Sequence, residues 1–361
     1  MTSRLARPFR RALLPFVLLI GIAVSNCGPD SSEPTGPTTT TPISPPTPVS
    51  ELSLAVAAQA RHTDQMLAIS GVVGTAVGLD ESGHARVKLF TESSAVRGLP
   101  SSLDGVPVTA VVTGAIRAFP ATAGTSEAAS RALISRTKRF ARPVPIGIST
   151  GNQGECSSGT ISARVKAGSK TYALSNNHVY ALENQAPVGS NVLQPGRFDL
   201  NCASGGSDVL GTLSKFVQIK FSNTASNKID AAIAAVSTNR LSRQTPSDGY
   251  GTPRANPIAA SLNQQVEKYG RTTGLTTGRV VGLNATVLVN YSTGHVARFV
   301  GQIVIQKPTG KFSGPGDSGS LIVDLNRRPV GLLFAGSDDG TTFANPIGAV
   351  LNALGVSIDG T

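Results

Sequence analysis

Histidine is scarce in this chain, present only as His62, His84, His178 and His295. Chemistry that needs an imidazole therefore has few places to be. Cysteine is scarcer still, at Cys27, Cys156 and Cys202. No cysteine/histidine group has the spacing of a metal site, so neither a metal nor another cofactor is implied. Tryptophan is absent and aromatic residues make up 5% of the sequence. The net charge of +11 is dispersed and no binding motif accompanies it, which argues against nucleic acid as a partner. A basic exported protein is accounted for by attraction to anionic cell surfaces. Residues 143–361 lack the strand–helix alternation of a parallel sheet. One apolar run stands out, at 12–24, and it is too short to be a good spanning helix.

That run explains the N-terminus. Arg4, Arg7, Arg10 and Arg11 precede it, and Cys27 follows directly. Residues 1–27 read as an export signal of lipoprotein type, with Cys27 as the lipidation position and membrane contact only through that anchor. Ordinary cleavage is the alternative, because Asn26 fits poorly before a lipidated cysteine. Residues 28–49 are mostly Pro, Thr and Ser and predict an extended tether. Residues 50–125 predict a small α/β domain. It would hold a helix over 52–67, strands over 71–79 and 86–90, and another strand or two within 106–116. Residues 126–142 carry Arg136, Lys138, Arg139 and Arg142 and predict a basic, exposed linker open to nicking. Residues 143–361 predict a mainly β domain, from apolar runs at 159–165, 209–219, 279–289 and 298–305, with one helix over 347–354. In an exported protein, Cys156 and Cys202 are expected to pair as a disulfide around the His178 segment.

The chemistry concentrates at Gly316-Asp317-Ser318-Gly319. A serine hydroxyl is a poor nucleophile unless a base, an orienting acid and oxyanion donors surround it. A turn flanked by glycines presents the Oγ outward and lets backbone N–H groups converge, which a plain turn of the same composition would not need. His178 is the candidate base, since it follows a strand-like run at a polar turn, Ser175-Asn176-Asn177. His62, His84 and His295 sit in a helix and two turns and read as ordinary surface histidines. Asp230, entering the apolar run Ala231-Ala232-Ile233-Ala234, is the candidate acid. No histidine follows Ser318, and Ser320 stands where a nucleophile elbow needs glycine, so an α/β-hydrolase is excluded.

With the segments 174–178, 229–232, 268–274 followed by Gly278, 314–320, and 340–347, the chain from 143 onward resembles the chymotrypsin-like serine peptidases, in their bacterial, streptogrisin-like branch. The resemblance implies a double antiparallel β-barrel, two six-stranded barrels with the site in the cleft between them. It implies His178 as general base and acid, Asp230 as orienter and Ser318 as nucleophile. The N–H groups of Gly316 and Ser318 would form the oxyanion hole, and the substrate would be a polypeptide. Many bacterial relatives carry, in the position of residues 50–125, a pro-domain that assists folding and blocks the cleft; a separate structural or binding module is the other reading.

Three departures from the family pattern accompany this likeness. The serine that usually bonds the triad acid is replaced by Phe334, so Asp230 is expected to lose a partner and the cleft wall to gain an aromatic. No new N-terminus is available for Asp317, and an internal base is expected to pair with it: Lys268, with Arg271 as the alternative. Phe312 stands where a pocket floor is often acidic, so a preference for Lys or Arg is not expected. The pocket, formed with Phe334, Gly336 and Thr341, is expected to take a medium apolar side chain, or an acidic one if the threonines face it. An exported serine endopeptidase is the leading expectation. A feebly active relative that binds peptides, or processes only itself, is the second.

Overall fold

The computed structural model describes residues 50–118 and 135–361. The signal segment, Cys27, the tether and residues 119–134 lie outside the described residues. No helix among the described residues is long and apolar enough to cross a membrane.

Residues 50–118 build an α/β layer. Helix α1 (Glu51–Leu67) is capped by the Ser50 hydroxyl, which accepts from the Ser53 N–H at 3.2 Å. It buries Ala55, Ala58, Gln59, Thr63 and Met66, a stripe at helical spacing. That stripe covers the hairpin of β1 (Val72–Leu79) and β2 (Ala85–Thr91). β3 (Ser102–Leu103) and β4 (Val106–Val112) follow, with β4 running parallel to β2. β5 (Ile116–Arg117) ends the layer.

The first barrel follows. Its strands are β6 (Ser149–Asn152), β7 (Gly159–Thr160), β8 (Ala163–Ala167), β9 (Lys170–Ser175), β10 (Asn191–Leu193), β11 (Val209–Phe216) and β12 (Ala232–Val236). A one-turn helix, α2 (Asn177–Tyr180), interrupts them after β9. The second barrel holds β13 (Gln265–Gly270), β14 (Gly274–Asn290), β15 (Val296–Gln306), β16 (Leu321–Asp324), β17 (Pro329–Ser337) and β18 (Thr342–Pro346). Helix α3 (Ile347–Leu354) and β19 (Ser357–Ile358) close the chain.

The second barrel is a closed ring in the order β13-β16-β17-β18-β15-β14, with β13 also paired to β14. The first is a curled sheet in the order β19-β8-β9-β12-β11-β10-β6-β7, so the last strand of the chain returns to it. Both are antiparallel throughout these pairings, and the fold is a mainly β double barrel. Helix α3 packs with Ile229, Ile233, Leu321 and Leu332 and so joins the two barrels in one apolar cluster.

Two connections were not anticipated from the sequence. β1 pairs antiparallel with β14, which extends the second-barrel sheet through the N-terminal layer. β5 then lies between the ends of β14 and β17, with Arg117 opposite both Asn290 and Gly336. The described part of the expected linker also differs from an exposed tether. Arg136 is buried, its guanidinium donating to the carbonyls of Arg271 at 3.1 Å and Thr272 at 2.9 Å. Arg139 pairs with the buried carboxylate of Asp208, and Phe140 packs on the first-barrel core. Arg136, Arg139 and Arg142 make barrel contacts while Lys138 stays exposed, so residues 135–142 belong to the folded body.

Candidate active site

β9 ends in buried Ser175, and the chain turns at Asn176 into α2, which carries His178. The turn is held by its asparagines. Asn176 Nδ2 donates to the Asp230 carbonyl at 2.7 Å, and Asn177 Nδ2 donates to Asn184 Oδ1 at 2.8 Å and the Val217 carbonyl at 2.7 Å. Asp230 precedes β12 and is fully buried. Its backbone N–H donates to Asn345 Oδ1 of the second barrel at 2.9 Å.

The structure brings His178 and Asp230 together. Nδ1 of His178 lies 2.6 Å from Asp230 Oδ2, and the His178 backbone N–H donates to Oδ1 at 3.2 Å. A carboxylate only accepts, so Nδ1–H faces Asp230 and Nε2 lies on the opposite side of the ring. Nε2 is buried and has no hydrogen-bond partner among the described residues. A buried ring nitrogen with no partner fits a group kept for chemistry.

Ser318 sits in the turn between β15 and β16. The turn is closed by the Asp317 N–H to the Gly314 carbonyl at 3.0 Å and the Ser320 N–H to the Asp317 carbonyl at 2.9 Å. It is docked on the first barrel through Thr160. The Thr160 N–H donates to the Ser318 carbonyl at 2.8 Å and its hydroxyl to the Gly316 carbonyl at 2.9 Å. Ser175, three residues before His178, donates from its hydroxyl to the Thr160 carbonyl at 2.8 Å. The Ser318 turn and the His178 loop thus meet on one residue, Thr160. Gly316 and Gly319 have φ of 92° and 97°, a region that favours glycine. A Cβ at Gly319 would also overlap the Thr160 carbonyl oxygen and the Ser175 hydroxyl, so the barrels close at this point only on glycine.

Asp317 points the other way, into the second barrel. Its Oδ2 lies 3.2 Å from Lys268 Nζ, and both side chains are fully buried. Oδ1 accepts from the Thr272 N–H at 2.9 Å and the Thr273 N–H at 3.2 Å, and Oδ2 from the Thr273 hydroxyl at 2.6 Å and the Gly314 N–H at 3.0 Å. Burial pushes this carboxyl up, but the Lys268 charge and these donors more than offset it and hold it below the ordinary carboxylate range. Burial lowers the Lys268 ammonium in turn. Arg271, the alternative partner, pairs with Asp199 instead. The disulfide joins Cys156 and Cys202.

The four pocket candidates are placed differently from one another. Phe312 lies in the second-barrel core with Val266, Val280 and Ile305, its ring over Gly278 where no Cβ would fit. Phe334 is also buried, 4.8 Å from Phe299. Neither ring is exposed, because the barrel interior claims both apolar side chains. Gly336 pairs with Arg117 of β5. Thr341 is spent on Asp339, to which its hydroxyl donates at 2.8 Å.

Asp230 does not lose a partner, contrary to the expectation drawn from Phe334. The Tyr291 hydroxyl donates to Asp230 Oδ2 at 2.8 Å. Burial, then the Asp230 carboxylate, push the Tyr291 phenol well above its ordinary pKa, so it stays a neutral donor. Nothing in the sequence around Tyr291 marks this contact; Thr273 was at least inside a recognised segment.

No family model matches the chain. Over 144 residues it is 31% identical to streptogrisin-A of Streptomyces griseus, a match covering 33% of this chain and 46% of the relative. The match thus spans about half the length of that curated relative. Among solved structures it is similar to Thermobifida fusca protease A, at 19% identity and a TM-score of 0.43, over 60% of this chain and 100% of that one. It is also similar to a Cellulomonas bogoriensis chymotrypsin, at 23% identity and a TM-score of 0.41, over 60% of this chain and 99% of the other. By its two-barrel architecture and its streptogrisin match, the chain is similar to the bacterial chymotrypsin-like serine peptidases.

Proposed function

We propose that the protein is an exported serine endopeptidase, with His178 as base and acid, Asp230 as orienter and Ser318 as nucleophile. The observation that carries this reading is the buried His178–Asp230 pair at 2.6 Å, with Nε2 left unpartnered. In the proposed cycle Nε2 takes the Ser318 proton as Oγ attacks the scissile carbonyl carbon, and the N–H groups of Gly316 and Ser318 receive the oxyanion. The imidazolium then gives its proton to the leaving amine, and water repeats the cycle to release the acyl group. Asp317, tied to Lys268, would hold the turn in the geometry the oxyanion needs.

Residues 50–118 act in this reading as a pro-domain-like layer. Supporting it, β5 runs antiparallel to β17 with Ile116 opposite Ser337 and Arg117 opposite Gly336. The strand is therefore directed along β17 toward Leu333, whose carbonyl accepts from the Gly319 N–H at 2.9 Å. A strand added to this edge would compete with an extended peptide for the same backbone groups. Export and a lipid anchor at Cys27 complete the proposal, carried by the N-terminal sequence alone.

The test is digestion of unfolded casein by the full-length protein beside Ser318→Ala, with fragment ends read by mass spectrometry. Fragments that appear with the wild type alone are expected. Identical fragments from both proteins would overturn the reading, and ends dominated by Lys and Arg would overturn the expected pocket.

A further inference from the structure

The carboxylate of Asp230 is fully buried and takes three hydrogen bonds among the described residues. Two come from His178 itself, so they cannot fix the acid against the base. The third is the Tyr291 hydroxyl at 2.8 Å. Position 334, from which the family's serine would reach the acid, carries a phenyl ring packed on Phe299.

Tyr291 comes from the tip of the β14–β15 hairpin, and that tip is built to hold it. Its own N–H donates to the His295 carbonyl at 2.9 Å, and the Gly294 N–H returns to the Tyr291 carbonyl at 3.0 Å. Glu183, on the loop after α2, accepts from the Ser292 N–H at 3.0 Å and from the hydroxyls of Ser292 and Thr293. The ring is fixed edge-on to His178, with centroids 6.1 Å apart, and edge-on to Phe221 at 5.4 Å. A hairpin of the second barrel therefore grips the histidine loop of the first and lays one hydroxyl on the acid.

We propose that Tyr291 is a positioning residue of the triad, its phenol fixing Asp230 from across the barrel interface in place of the serine lost to Phe334. This rests on the proposed peptidase reading. The phenol acts through Asp230: it shares Oδ2 with the His178 Nδ1–H and so sets the direction in which Nε2 points.

The test compares full-length wild type with Tyr291→Phe, which keeps the ring. Two readouts are taken: the rate of fluorophosphonate labelling, and the low-field proton resonance of His178 Nδ1–H. The resonance is recorded in Ser318→Ala protein with and without the Tyr291 change. Labelling is expected to slow on the order of tenfold, the loss of a hydrogen bond to a charged group. The Nδ1–H resonance is expected to move, which a loss of mere packing stability would not cause. A resonance and a labelling rate both unchanged would overturn the proposal while leaving the peptidase reading intact. If wild type fails to label, that reading falls, and the resonance still decides whether Tyr291 positions the pair. Glu183→Gln supplies a second variant. It loosens the hairpin tip without touching Asp230 and is expected to shift the resonance in the same direction; no shift would count against the clamp.

Discussion

At the scale of single residues, the site is organised around buried carboxylates that must be held by donors or cations. Asp317 and Lys268 are the clearest case. Removing one member of a buried pair leaves the other unpaired, which costs about 3–5 kcal/mol. Lys268→Met is expected to lose stability on that scale in denaturant unfolding, and to slow Ser318 labelling with it. The acid limb of stability follows from the direction of the Asp317 shift. A carboxyl held below its unfolded pKa contributes stability above that pKa and loses it as pH falls through the folded value. Wild type should therefore weaken in acid, and Lys268→Met, whose Asp317 is no longer held down, should show a flatter acid limb. Equal slopes in the two proteins would contradict this. The pair was legible because Asp317 adjoins the candidate nucleophile and must have a cation. Tyr291 was not legible: it is 61 residues from Asp230 in sequence, and a tyrosine before a turn is an ordinary hairpin residue.

At the scale of elements, local pattern and long-range pairing separate cleanly. α3 spans 347–354 as its apolar periodicity predicts, and α1 begins one residue before the predicted 52–67 because Ser50 caps it. Strand pairing between distant segments left no such trace. β1 joins β14 through backbone groups, which carry no side-chain signature, so the docking of the N-terminal layer could not be read. The described linker residues misled for a related reason: Arg136 looks solvated in sequence but donates to two carbonyls in the fold. β5 offers the sharpest test at this scale. Ile116 is fully buried, and Ile→Ala in such a place costs about 2–5 kcal/mol. Ile116→Ala is expected to loosen β5 and speed labelling of Ser318 in the full-length protein. Arg117 pairs with Asp338 at 2.7 Å, but both are well exposed, and such a pair is worth at most about 1 kcal/mol. Arg117→Ala should leave thermal stability almost unchanged. Labelling slowed by Ile116→Ala would contradict a blocking role for the strand.

At the scale of the molecule, the two barrels and the α/β layer of the described residues form one compact unit. The Cys156–Cys202 bond has a sequence separation of 46 and ties the segment around the histidine loop. Closing a loop of that length stabilises by about 4 kcal/mol on the chain-entropy account. The double Cys156→Ser, Cys202→Ser protein is expected to unfold at lower denaturant with part of that stability gone; an unchanged midpoint would show the bond to be incidental. A mainly β class was legible because short apolar runs recur between turn residues, whereas the two-barrel arrangement was implied by the resemblance to the chymotrypsin-like peptidases, with which the order His178, Asp230, Ser318 agrees. The Tyr291–Asp230 contact was not legible, since it depends on which hairpin tip crosses the interface.

The central claim is that Ser318 is a nucleophile activated by His178. Full-length protein should be treated with a fluorophosphonate and read by intact mass, beside Ser318→Ala and His178→Ala, before and after limited thermolysin digestion. The account predicts one adduct per chain, mapping to Ser318, absent from Ser318→Ala and slowed at least about 1,000-fold by His178→Ala. An adduct that persists in Ser318→Ala, or no adduct on wild type in either condition, would contradict it.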